Sequence, residues 1–237
     1  MTRSLTMALA LAITATALGA PGAVQGSRVS WARLNTRHPS WEVHSANDPV
    51  LSAFIRVHTR LNIDPTYHTA DVASLEDLCQ YPFLFTNNLA NVRRESDIRN
   101  VREYLRRGGF IYIDRCVNLS FSLPQETFFQ ANLAFFRKLF PEASIVDFQP
   151  EHEIFDSYFV AGSLVRSRTP DGHNGIYGVY VDGRFVALLG LANFQCGWPN
   201  SGQRSQRQME MITNIYVYAM TSRVLSAGDR PGPAQPR

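Results

Sequence analysis

A chain of 237 residues with 45% hydrophobic and 18% charged side chains has enough apolar material for one large core, which excludes an intrinsically disordered protein. Its formal charge of +3 is close to balance, with 23 basic residues against 20 acidic ones, so a nucleic-acid partner is not expected. Three cysteines with no CxxC pair, in a chain that also lacks HExxH, allow at most one internal disulfide and dictate no metal.

Residues 1–26 follow their own rule. Arg3 supplies a positive start, residues 5–18 are almost purely apolar, and small residues follow from Ala20 to Gly26. This is the pattern of a secretory signal peptide, cleaved after Ala20 or after Gly26, with an apolar run too short for a comfortable membrane span; an uncleaved anchor is the alternative. Loss of Arg3 with that segment lowers the formal charge from +3 to +2. The expected mature protein is periplasmic or extracellular, has no transmembrane span, and forms a single α/β domain over residues 27–225.

Residues 29–34 alternate like a first strand. Residues 49–61 place Val50, Leu51, Phe54, Val57 and Leu61 at helical spacing, with Asn47 or Asp48 available as a cap and Pro49 in the first turn. A short extended piece near Tyr67 precedes a buried strand over 82–86, which ends at Asn87 and Asn88. The helix expected over 96–107 buries Ile98, Val101, Tyr104 and Leu105. Arg93, Arg94, Arg99, Arg102, Arg106 and Arg107 make this stretch basic, but Glu95, Asp97 and Glu103 interrupt the field, so a solvated face is the simpler reading. Gly108-Gly109 stops the helix through a left-handed cap, and the continuous apolar run 110–113 is a strand buried on both faces.

Residues 125–140 form a helix whose Phe128, Phe129, Phe135, Phe136 and Phe140 make one packing stripe, and 145–148 returns as a strand. Asp182-Gly183 between the apolar runs 175–181 and 184–191 signals a two-residue hairpin. A final helix over 205–225 turns Met209, Ile212, Ile215, Tyr216 and Ala219 inward, and residues 226–237 read as a disordered tail. The alternation of strand and helix predicts an α/β fold: a doubly wound, mainly parallel sheet flanked by helices, with a β-hairpin in the C-terminal part.

In such a sheet, residues just beyond the carboxyl ends of the strands face the ligand crevice. Here those positions hold Asn87, Asn88, Asp114, Arg115, Cys116 and Asn118, with His152, Asn193, Cys196 and Trp198 in the later loops. Amides, a carboxylate, an arginine and an indole can orient a polar or sugar-like ligand by hydrogen bonding and stacking, without bond-breaking chemistry. Cys116 and Cys196 are the pair expected to approach one another, whereas Cys79 reads as a small buried apolar residue. His38, His44, His58, His68 and His173 read as surface or hydrogen-bonded histidines.

The segments Tyr81-Pro82-Phe83-Leu84-Phe85, Tyr104-Leu105-Arg106-Arg107-Gly108-Gly109-Phe110, Phe140-Pro141, His152-Glu153-Ile154-Phe155, Gly197-Trp198 and Asn214-Ile215, in that order, resemble bacterial domain-of-unknown-function family 4159. The resemblance covers nearly all of residues 29–222 and implies a relation to the class I glutamine amidotransferase-like group of flavodoxin-like folds. It implies no assigned reaction. Amidotransferases carry a nucleophilic cysteine on a tight strand-to-helix turn, and Cys116 lies seven residues beyond Gly109 where such a group can fall, with His152 as the candidate base. An elbow of that kind places small residues two positions before and after the nucleophile, but Asp114 and Asn118 stand there.

Three function classes follow. A noncatalytic exported module that binds a polar small molecule or an envelope protein is favoured, because the fold match is good and the catalytic match is poor. A Cys116/His152-dependent hydrolase or amidase is the alternative, so catalysis itself stays open. A metal or redox site built from Asp114, Cys116, His152 and Cys196 is the third, since thiolate, imidazole and carboxylate suit zinc. No residue pattern identifies a cofactor or a metal-ligand set.

Overall fold

A computed structural model describes residues 29–115, 123–160, 175–196 and 203–222. The expected signal segment, Cys116, Asn118, His173, Trp198 and the expected tail lie outside these residues. Seven strands, β1 (Ala32–Asn35), β2 (His68–Asp71), β3 (Phe83–Thr86), β4 (Phe110–Asp114), β5 (Ser144–Asp147), β6 (Ile176–Val181) and β7 (Arg184–Gly190), join in one sheet of order β2-β1-β3-β4-β7-β6-β5. The first five in that spatial order are parallel, while β6 runs antiparallel to both β7 and β5. The expected α/β sheet with its C-terminal hairpin is therefore present. Asp182 and Gly183 turn the hairpin with φ of 50° and 70°, the double left-handed geometry of a type I′ turn.

Strand alternation sorts the core into two layers. Leu84, Ile111 and Ile113 pack with α2 (Leu75–Cys79), α3 (Glu95–Arg106) and α4 (Gln125–Leu139) on one face. Phe83, Phe85, Phe110 and Tyr112 pack with α1 (Asp48–His58) and α5 (Gln203–Thr221) on the other. Helices thus cover both faces of the parallel strands, and β3 and β4 are apolar at successive residues because neither side meets water. The spatial order reverses between β1 and β3, which makes the gap beyond their carboxyl ends the topological switch point.

Gly108, at φ +99°, ends α3 as expected. Gly109 has a different reason for being glycine: a Cβ there would enter the ring of Tyr104. The Tyr104 hydroxyl lies 2.9 Å from the Tyr81 carbonyl oxygen and accepts the Phe110 N–H at 3.2 Å, so the ring cannot simply swing away. Gly109→Ala is expected to destabilise the fold by about 1–3 kcal/mol, seen as a lower urea midpoint.

Other expectations need correction. The stripe of α1 is narrower than its apolar spacing suggests: Leu51 and Ile55 are fully buried, whereas Val50 and Val57 are 45% and 76% exposed. Neither expected residue caps α1, since Asn47 makes no side-chain capping bond and Asp48 turns its carboxylate into the core. There it meets Arg33, fully buried on β1, through Nε–Oδ2 at 2.6 Å and Nη2–Oδ1 at 2.8 Å. The remaining guanidinium nitrogen, Nη1, donates to the carbonyls of Trp41 at 3.0 Å and Val43 at 3.2 Å. Arg33 thereby fixes the β1–α1 connection, one wall of the candidate site. Cys79 is a half-buried free thiol on α2 rather than a fully buried one, and burial pushes that thiol up.

Candidate functional site

A crevice opens at the switch point, lined by Ser40, Val43, Asn87, Asn88, Asn91, Leu123 and Phe128, with about 300 Å³ of space including the part open to solvent. Its two main walls are short 3-10 turns, Pro39–Glu42 after β1 and Leu89–Asn91 after β3. Each is capped by the side chain before it. His38 Nδ1 accepts the Ser40 N–H at 3.2 Å and lies 2.8 Å from Ser40 Oγ, which also accepts from Asn91 Nδ2 at 2.9 Å. Asn88 Oδ1 accepts from the Ala90 N–H and from Asn132 Nδ2, both at 3.1 Å. Asn132, fully buried on α4, also takes the Ala90 N–H on Oδ1 at 3.2 Å.

Asn87 differs from these satisfied neighbours. Only 5% exposed, it donates Nδ2 to the Ser40 carbonyl, while its Oδ1 is buried with no hydrogen-bond partner. A lone buried acceptor of this kind costs about 1–3 kcal/mol.

A second polar group lies at the ends of β4 and β7. Asp114 is fully buried, and its Oδ2 accepts the Gln195 N–H at 2.6 Å. Burial holds this carboxyl well above the usual carboxylate range, the neighbouring Cys196 pushes in the same direction, and the Gln195 N–H opposes them. Gly190, paired with Asp114, leaves it room, since a Cβ there would lie 3.0 Å from Oδ1. Gln195 Nε2 reaches the Val43 carbonyl at 3.2 Å, so Asp114 is tied through Gln195 to the crevice wall that Arg33 also holds. Asn193 turns the chain out of β7 at φ 57°, and its carbonyl accepts the Cys196 N–H at 3.2 Å.

Arg115 donates Nε and Nη2 to the Leu123 carbonyl at 3.2 and 2.9 Å, which ties the end of β4 to Leu123. It anchors the rim instead of presenting a free cation. Cys196 is half-buried and forms no disulfide, and Cys116, expected to approach it, lies outside the described residues.

His152 stands elsewhere. Its ring stacks on Phe148 at 3.8 Å and meets Tyr218 edge-on at 5.6 Å, while Nδ1 caps a short turn by accepting the Ile154 N–H at 3.2 Å. Tyr218 in turn packs against Phe185, near the start of β7, at 5.7 Å. Asp114 pairs with Gly190 at the other end of that strand, five residues on, about 16 Å along the chain. Burial lowers the His152 pKa, against an opposing pull from Glu153. Asp114, His152 and Cys196 therefore do not converge, and among the described residues no group of three or more His, Cys, Asp or Glu side chains is placed to hold a metal ion.

Of the residues expected at the edge, Asn87 and Asn88 line the crevice, Asp114, Asn193 and Cys196 form the adjoining group, Arg115 braces the rim and His152 lies apart. Cys116, Asn118 and Trp198 lie outside the described residues. Sequence reasoning missed Ser40, Asn91, Asn132 and Gln195. The first two follow strand ends by only a few positions, and that proximity was the available signal.

No helix among the described residues is long and apolar enough to cross a membrane. No curated protein matches the chain. The family model described as "Domain of unknown function (DUF4159)" matches residues 30–220, which spans the sheet and all but the end of α5, and the chain belongs to this family.

Proposed function

We propose that this protein is an exported, noncatalytic module that binds a polar small molecule in the crevice between the ends of β1 and β3. The unpartnered Asn87 Oδ1, buried at the crevice wall, carries the reading. The order β2-β1-β3-β4 with helices on both faces supports a flavodoxin-like, class I glutamine amidotransferase-like ancestry, in which this location is the customary ligand position. His152, engaged in ring stacking and a local cap, favours a binding role over a Cys116/His152 hydrolase.

Native mass spectrometry of protein purified from its host under mild conditions tests the binding role. A noncovalent small-molecule adduct is expected, and Val43→Phe, which narrows the crevice without removing a polar group, should abolish it while the protein stays folded. An adduct retained in Val43→Phe contradicts the assignment.

Export rests on Arg3, the apolar run and the small residues before Ser27. Mature protein from the host is expected to begin after Ala20 or after Gly26 and to fractionate outside the cytoplasm. Intact Met1 in a soluble cytoplasmic pool would reject this.

A further inference from the structure

We infer that the group seated in the crevice is a neutral hydroxyl, as on a sugar or polyol, rather than a phosphate or carboxylate; the inference rests on the binding role proposed above. Switch points of open α/β sheets commonly hold phosphates on backbone N–H groups at a helix N-terminus. Here the Ser40 and Ala90 donors are already used. The Ser40 N–H goes to His38 Nδ1, Pro39 has none, and the Ala90 N–H is shared between Asn88 Oδ1 and Asn132 Oδ1. The Asn88 N–H faces Thr86 Oγ1 at 3.4 Å. Helix α3 starts only at Glu95, and its first turn carries the acids Glu95 and Asp97.

The crevice offers the opposite chemistry. Asn87 Oδ1 is an acceptor that requires a donor, and an anion would set oxygen against oxygen. No charged side chain lines the crevice among the described residues, so a desolvated ammonium would find no counter-charge. Nearby Arg33 and Arg115 are committed to Asp48 and to the Leu123 carbonyl. The narrow interior admits about one water-sized group, which fits a hydroxyl. Val43, Leu123 and Phe128 at the same crevice provide an apolar flank for the C–H face of a ring.

Titration of ¹⁵N-labelled protein with a mixture of neutral methyl glycosides and, separately, with inorganic phosphate tests this. Saturable shifts of the Asn87 side-chain amide and the Ser40 and Asn91 resonances are expected with the glycosides and not with phosphate. Asn87→Ala should weaken glycoside binding about 10-fold or more. Because that variant can lose stability, Val43→Phe provides a second arm that should block the same shifts. Saturable shifts with phosphate at these residues would overturn the hydroxyl assignment but leave the crevice a binding site. Silence with both probes, with water alone meeting Asn87, would overturn both readings.

Discussion

Arg33→Met is expected to destabilise the protein by about 3–5 kcal/mol, the largest effect of any single substitution considered, read as a lower urea midpoint. Both Arg33 and Asp48 are fully buried, so removing the guanidinium strands a carboxylate in an apolar layer. That carboxyl is already pushed up by burial and is pulled back by its bonds to Arg33. Against a total stability of about 5–15 kcal/mol, the loss would leave the fold marginal. The double variant Arg33→Met/Asp48→Leu removes both charges and should recover much of the stability. Recovery should be incomplete, because the Trp41 and Val43 carbonyls also lose the Nη1 donor. A double variant no more stable than Arg33→Met would show that these carbonyl bonds, and not the ion pair, account for the cost.

The second large effect is a pH dependence centred on Asp114. Its folded pKa is raised well above that of an exposed carboxyl, so the folded chain keeps a proton that the unfolded chain releases. Stability from this group is therefore fully present below about pH 4 and is lost as pH rises from there toward the folded pKa. Asp114→Asn retains a neutral side chain of the same shape and cannot lose that proton. Its stability relative to the unsubstituted protein should rise in urea titrations as pH increases above about 4 toward the folded pKa. Asn can still accept the Gln195 N–H, so the contact with the crevice wall should survive. A relative stability that falls over the same interval would place the folded pKa below the unfolded one and contradict the buried-acid assignment.

Much of this architecture is legible in the sequence where local chemistry and tertiary environment agree. The runs at β3 and β4 read as strands because they are apolar on both faces, and α3 stops at Gly108 because the left-handed cap needs a glycine. Helix α2 is not legible, since its five residues present no periodicity; it depends on a Ser74 cap that accepts the Asp77 N–H at 3.1 Å and on Asp77 accepting the Asp71 N–H at 2.6 Å. Burial of Arg33 was equally hidden: an arginine in an inward strand position is tolerable only because Asp48, fifteen residues on, arrives beside it.

The candidate site divides along the same line. Asn87, Asn88 and Asp114 are visible as polar residues at the ends of apolar runs. Ser40, Asn91 and Asn132 become neighbours only when the loops after β1 and β3 meet α4. His152 follows β5 in sequence and was expected at the ligand edge, but its ring stacks on Phe148, part of the core layer shared with α1 and α5.

The most direct measurement of the central claim is a crystallographic map of the protein soaked with a set of neutral polyols and glycosides. Ligand density is expected in the switch-point crevice with a hydroxyl within hydrogen-bond reach of Asn87 Oδ1. Ligand density at the His152–Tyr218 aromatic group, with only water in the crevice, would contradict it.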